Sequence, residues 1–426
     1  MIDVKLLRDK PEEIKKMLHD RNVNFELSEL LQIDSKRRST ITELESLKMK
    51  KNIISKEVSE KKKANKEISS KLEEIQSVAK EIDNLNVKKI KIQELYDKKL
   101  QSIPNLIHNT VPRGTDFNSN LEVVKWNPKI AINKKAKDHI EISLKNDLID
   151  IERAAKISGS RFYFLKNELV KLNYALISFA LKFMNIKGYR MIQPPYLINR
   201  KSMNGAVILS DFEEVIYKIE DQDLYLIGTS EHAAAAMHAG EIFSIDELPL
   251  RYVAISPCFR KEAGSHGLDT KGIFRVHQFE KVEIFSITDP KESWNEHEKI
   301  LTDVREFYEK LEIPHRVMLL SSGDMGKVAA KTYDIEAWLP GQSNYREIVS
   351  CSNCTDYQSR RLGIKFRYKQ HENSMLVHTL NSTVTATERT LIAIIENFQN
   401  EDGSITIPKV LRPYMDNQNE IKSSHT

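Results

Sequence analysis

The sequence predicts an α+β protein in which a long antiparallel helical hairpin precedes a mixed α and β body. Three observations carry that expectation. Residues 12–103 contain no Gly and no Pro, although 14 Gly and 13 Pro in 426 residues would place roughly six there. Within that run, apolar residues alternate at spacings of three and four. Beyond about residue 120, aromatics, Gly and Pro return, and short β-rich runs sit between helical pieces.

Composition bounds the rest. With 40% hydrophobic residues, 30% charged residues and three cysteines, collagen-like, disordered and disulfide-scaffold classes are excluded. The length suits two or three domains. No window approaches 18 consecutive apolar residues, and the start MIDVKLLRDKPEE lacks an apolar targeting core, so the expected setting is cytoplasmic, with no membrane partner.

The first element is the hairpin. Leu44, Leu47, Ile54 and Val58, with Lys51 filling one slot, trace a seam that Ile68, Leu72, Ile75, Ala79 and Ile82 continue. The seam breaks at KKKANKE (61–67), so an antiparallel pair of arms fits better than a parallel dimerising coil. Residues 36–103 hold 18 Lys and Arg against 11 Asp and Glu, a local excess of +7 in a chain of net charge +4. Such asymmetry suits a polyanion, and the alternative is a solvated lysine-rich surface. The expected organisation is an N-terminal domain over 1–110, a turn-rich linker over 111–120, a body over 121–414 and a polar tail over 415–426.

In the body, neither a P-loop nor a G-x-G-x-x-G phosphate cradle occurs. Cys351 and Cys354 form half of a zinc spacing with no second half nearby, and His232 and His238 read as ordinary helix residues six apart. The informative stretch runs from Phe259 through Arg260, Lys261, Glu262 and Ala263-Gly264-Ser265-His266-Gly267 to Phe274-Arg275-Val276-His277-Gln278-Phe279-Glu280-Lys281-Val282-Glu283. Two β-rich runs flank a Gly-containing loop. Arg260 and Glu262 fall on one strand face, and Phe279 and Glu283 on another. A guanidinium fork for phosphate, an aromatic plate for a base and acids for amino groups would together make an adenylate site, the alternative being a charged hairpin facing water.

This ensemble resembles motif 2 of the class II aminoacyl-tRNA synthetases, and specifically the seryl-tRNA synthetase family, along essentially the whole chain. Gly188-Tyr189-Arg190-Met191-Ile192-Gln193-Pro194-Pro195 resembles motif 1, and His378-Thr379-Leu380-Asn381-Ser382-Thr383 through Arg389 resembles motif 3. Thr229-Ser230-Glu231 is similar to the family's serine-binding loop, and Glu347-Ile348-Val349-Ser350 to its metal and ATP strand. Leu380-Asn381-Ser382-Thr383 and the Ala-rich stretch after Glu231 look closer to the archaeal and eukaryotic branch than to the bacterial one.

The resemblance implies an antiparallel β-sheet core flanked by helices, a homodimer built on motif 1, and a coiled-coil arm that grips tRNA-Ser, with tRNA-Sec a second candidate. It implies formation of seryl-adenylate from L-serine and ATP, followed by seryl transfer to the tRNA terminal adenosine. Arg260, Glu262 and Arg389 would be catalytic, and Thr229, Ser230, Glu231, Arg260, Glu283, Asn381 and Thr383 would hold serine. Arg260, Lys261, Glu262, Val276, His277, Gln278, Phe279, Glu347, Ile348, Val349, Ser350 and Arg389 would hold ATP, with Glu347 and Ser350 on Mg²⁺ and Lys61, Lys62 and Lys63 on tRNA. The rival reading is a tRNA-binding or scaffold protein with an inactive body.

Overall fold

A computed structural model describes residues 1–128, 136–262 and 271–423. The loop 263–270 of the motif 2 stretch lies outside the described residues. The chain divides into two units, one of residues 2–19 and 23–104, the other of Met1, 20–22 and 105–426.

The first unit is dominated by helices α1 (Leu27–Lys63) and α2 (Ser69–Ser102). Charged and polar pairs link position 29 to 99, 37 to 93, 50 to 74 and 57 to 71. Descending partners for ascending positions define an antiparallel hairpin, and at 1.5 Å per residue each arm is roughly 50 Å long. Leu44, Ile54, Val78 and Ile82 are buried between the arms, flanked by Leu47, Val58, Ile75 and Leu85. On the second arm the seam passes through Val78 instead of Ala79, and Leu72 is 43% exposed. The larger Val side chain wins the position facing the other helix, and the expected register moves by one residue.

The run from residue 12 is not one helix either. A helix ends at Asp20, and α1 begins at Leu27. The break needs no glycine because Asn22 takes the left-handed conformation, with φ 53°, which asparagine tolerates better than most residues.

The second unit is built on a sheet that, among the described residues, has eight strands. In chain order they are β1 (Leu121–Trp126), β2 (Arg190–Ile192), β3 (Leu250–Phe259), β4 (Gln278–Thr288), β5 (His315–Leu319), β6 (Lys331–Leu339), β7 (Asn344–Thr355) and β8 (His378–Ala386). Their spatial order is β1-β5-β6-β7-β8-β4-β3-β2, antiparallel except where β2 joins β3. The run 273–277 expected to begin β4 is irregular, although Ile273, Phe274 and Val276 are buried. One sheet face packs beneath helices α3 (Asn167–Ile186), α4 (Ser293–Lys310) and α5 (Thr387–Asn397). Val253, Val282, Ile284, Ile335, Val349, Leu380 and Val384 point into that core. Because side chains alternate across a strand, their neighbours face the other way. Helix α3 is apolar and long enough to cross a membrane by composition, but half of its 20 residues' window is buried within the protein.

Two segments expected to be loose are folded. In the linker, Asn120 bonds Asp324 and the Ser321 N–H, and the Gly323 N–H bonds the Gly114 carbonyl. Residues 415–423 extend the body instead of trailing from it. Glu420–Ile421 pairs with Ile405–Thr406, and Met415 and Ile421 are each 1% exposed. Two apolar residues anchor that stretch, too few to give a period. Arg21, also buried, donates to the carbonyls of Asn105, Gly326 and Ala329.

Replacing Arg21 with Met leaves the buried Asn105 and Ala329 carbonyls without a charged donor. Stability should fall by about 2–4 kcal/mol, read from the denaturant midpoint. A change below about 0.5 kcal/mol would mean that water substitutes for the guanidinium.

Candidate active site

The face of the sheet opposite the helical core floors a cleft of about 970 Å³. Register explains how residues distant in sequence meet there. On β4, Phe279, Lys281 and Glu283 alternate onto the cleft face. Thr383 of β8 lies opposite Glu283, Asn381 of β8 opposite Ser352 of β7, and Ser350 of β7 opposite Asp334 of β6. Glu347 and Ser350 are three apart and would face opposite sides of a regular strand. A register shift between Ile335 and Glu336 accommodates Ile348 as an extra residue, which brings both onto the cleft.

One end of the cleft is acidic. Thr229 caps the helix Ser230–Ala236, accepting from the Glu231 N–H at 3.3 Å, and so aims the Glu231 side chain inward. Glu231 Oε1 accepts from Gln358 at 2.8 Å and from Asn381 at 3.0 Å. Burial, reinforced by the nearby Glu283 carboxylate, pushes Glu231 up to about 7. Glu283 is 2% exposed, and burial raises it as well, opposed by an ion pair with Lys281 and by the Thr383 hydroxyl, which donates to Glu283 at 3.5 Å.

Next come the guanidinium groups. Arg260 leaves the end of β3, its Nε donating to the Gly228 carbonyl at 3.0 Å and its Cζ 5.2 Å from the Phe279 ring. Arg389, in the first turn of α5, donates to the Glu347 carbonyl at 2.9 Å and pairs with the Glu347 carboxylate at 3.3 Å. Its Cζ lies 4.8 Å from the ring of Phe274. Glu262 takes φ 50° and pairs with Arg275 at 3.0 Å. Val276 and Ile348 add apolar walls.

Several expected residues are placed elsewhere. Ser230 is buried but does not line the cleft. Lys261 reaches over the Tyr217 ring, and Val349 points into the core beneath the helices. His277 supports Arg260 from behind, its carbonyl accepting from the Arg260 N–H and its ring bonding the Arg260 carbonyl. Gln278 lines a separate, smaller hollow near Phe164. Lys61, Lys62 and Lys63 occupy the last turn of α1, where cations complement the helix dipole, with Lys62 and Lys63 exposed.

Other cleft residues were not singled out from the sequence. Lys281 was legible, since a residue midway between Phe279 and Glu283 must share their face. His232 was read as an ordinary helix residue, yet it lines the cleft, accepting from the Gly228 N–H, and burial lowers it to about 3. Asp334 in the cleft, and Gln358, the fully buried partner of Glu231, carried no motif signal.

Asp334 tests whether a cation fits. Its Oδ1 is buried with no hydrogen-bond partner among the described residues, and burial, with Glu347 nearby, raises its carboxyl well above the usual range. Glu347, Ser350 and Asp334 are hard oxygen donors of the kind Mg²⁺ accepts. Among the described residues no group of three or more His, Cys, Asp or Glu forms a self-sufficient metal cage. Cys351 is buried, and that burial pushes its thiol up to about 12.

A polar cleft floored by an antiparallel sheet, with Arg260 just beyond the end of β3 and Arg389 in the first turn of α5, is the arrangement of a class II aminoacyl-tRNA synthetase. Residues 216–398 match the model of the tRNA synthetase class II core domain (G, H, P, S and T), and residues 1–107 match the seryl-tRNA synthetase N-terminal domain. The chain belongs to the seryl-tRNA synthetase family. It is 56% identical to a serine–tRNA ligase of Nitrosopumilus maritimus over 99% of this chain and 100% of that protein. It superposes on the crystal structure of seryl-tRNA synthetase from Pyrococcus horikoshii complexed with ATP with a TM-score of 0.91, at 44% identity over 99% and 100% of the two chains. On the Naegleria fowleri cytoplasmic enzyme in complex with AMP the TM-score is 0.86, at 37% identity over 100% and 99%.

Because Glu231 holds its proton more tightly folded than unfolded, its contribution to stability is full below about pH 4.5 and lost as the pH rises through about 7. Glu231→Gln keeps an oxygen for Gln358 and Asn381 without the charge. It should melt a few degrees above the parent at pH 8, an advantage that vanishes at pH 4. Equal melting temperatures at pH 8 would show that the cleft solvates this carboxylate.

Proposed function

We propose that the cleft joins L-serine to ATP as seryl-adenylate, releasing pyrophosphate, and then passes the seryl group to the 3′-terminal adenosine of tRNA-Ser. The activity is that of the family, ATP-dependent ligation of serine to tRNA. The observation that carries the reading is the polarity of the cleft. Two carboxylates and two hydroxyls line one end, and guanidinium groups with the Phe279 ring lie beside it.

In this reading Glu231 and Asn381 take the serine ammonium, while Glu283 and Thr383 bond its hydroxyl. Alanine would leave those buried groups without a partner, and such a site can discriminate by about 10⁴-fold. Arg260 orients the serine carboxylate against the α-phosphate. A carboxylate oxygen attacks the α-phosphorus, pyrophosphate departs, and Arg260 and Arg389 spread the charge that develops. No covalent enzyme intermediate is needed. The adenine lies on Phe279 with Glu262 near its amino group, once that carboxylate turns from Arg275. Glu347 and Ser350, backed by Asp334, would hold Mg²⁺, which would supply positive charge to offset that of the phosphates. In the second step a ribose hydroxyl of the tRNA attacks the acyl carbon, and AMP leaves.

The basic hairpin with Lys61, Lys62 and Lys63 is proposed as the tRNA-binding arm, and tRNA-Sec is a second candidate partner. A homodimer through motif 1 is supported by exposed Met191 in β2, one of the sheet's two edge strands among the described residues, and by exposed Ile186 at the end of α3. The cytoplasm as workplace is supported by three free, buried cysteines, which suit a reducing compartment. The Naegleria relative is likewise cytoplasmic by name.

Arg260→Ala should lower serine-dependent ATP–pyrophosphate exchange by about 10³-fold or more. An unchanged rate would remove Arg260 from the reaction. Neutralising Lys61, Lys62 and Lys63 together should leave exchange intact while weakening tRNA charging, and should reduce the slope of log affinity against log salt by about 2. Equal loss of both steps would make the arm structural.

A further inference from the structure

We propose that Lys281 is a positioning residue for the amino acid, its ammonium tying the hydroxyl-binding carboxylate on β4 to the helix start that carries the ammonium-binding one. The inference rests on the serine reading above and assigns a role to a residue that reading leaves unused.

Three observations support it. Lys281 sits midway between Phe279 and Glu283 on one strand face, and its register partners are Ser256 and Ala386, so its long side chain enters the cleft between small neighbours. It is 7% exposed, and a lysine that deep requires partners. It has two on different elements, an ion pair with Glu283 Oε2 and a hydrogen bond donated to Thr229 Oγ1 at 3.3 Å. The same Thr229 oxygen caps the helix from which Glu231 projects. One ammonium therefore fixes the spacing between the two acids.

Charge balance gives the arrangement its purpose. Serine enters as a zwitterion and adds no net charge. Glu231 and Glu283 supply two negative charges, and Arg260 and Lys281 supply two positive ones. Without Lys281 the loaded end would carry an uncompensated carboxylate out of water, and that carboxylate would take up a proton. A protonated acid grips an ammonium poorly and presents its hydroxyl oxygen in place of an acceptor. Lys281 thus favours the ionised form of both carboxylates, against the burial that raises them, and keeps them aimed without contacting the phosphates.

The test is the split between the two substrates. In Lys281→Met the serine KM in ATP–pyrophosphate exchange should rise about tenfold or more, with the ATP KM within about twofold of the parent. The preference for serine over alanine should shrink in parallel. In Lys281→Ala, propylammonium added at millimolar concentration should recover part of the serine affinity, and propanol should recover none. A serine KM that does not move would overturn the proposal. So would serine and ATP KM values rising together, or equal rescue by the alcohol, because each marks a merely structural lysine. The parent protein separates the two claims: absence of serine exchange there defeats the functional reading itself, independently of Lys281.

Discussion

Everything in the catalytic body depends on a single constraint, a sheet that has one face in the helix-covered apolar core while the other floors the polar cleft along part of its length and packs on a second apolar cluster along the rest. Alternation along a strand means that each residue aimed at the cleft is flanked by residues aimed at the core. On β4 the cleft receives Phe279, Lys281 and Glu283 while Val282 and Ile284 anchor beneath the helices. A slip of one residue would bury the charges and expose the anchors. The precision of the site is therefore a consequence of core packing, and the chemistry needs no separate scaffold. Where the chemistry needs a side chain out of phase, the sheet supplies a bulge, as at Ile348.

The second constraint is electrostatic. Carboxylates drawn into a cleft lose hydration, and each must find a donor, an opposite charge or a proton. Glu283 finds Lys281 and Thr383, while Glu231 finds two side-chain amides and remains close to neutral pH in its titration. Glu388, next to Arg389, is raised to about 7 by burial and has an oxygen with no partner among the described residues. A site that holds its acids so near protonation is less stable than it could be, which is the usual relation between function and stability.

How much of this was legible from the sequence varies with the physics behind each feature. The hairpin was legible because long helices obey a strong local period, although its second seam moved from Ala79 to Val78 once the opposing helix chose the larger side chain. The break at Arg21–Glu26 was not, because Asn22 does there what a glycine usually does. Arg260, Glu283 and Arg389 were legible as types in a familiar order, and register brings them to one cleft. Lys281 was legible in principle from period two alone. Gln358 and Asp334 were not, because their place is set by pairing between distant strands and helices that no local pattern encodes. The segment 415–423 failed for a related reason, its two anchoring residues being too few to form a pattern.

The central claim is that this cleft selects serine and activates it with ATP. ATP–pyrophosphate exchange on the purified protein, run with each of the twenty amino acids and without tRNA, tests it most directly. The account predicts exchange with serine and little with alanine or threonine. Exchange with another amino acid in preference to serine would contradict the pocket assignment, and no exchange with any of the twenty would favour the inactive, tRNA-binding alternative.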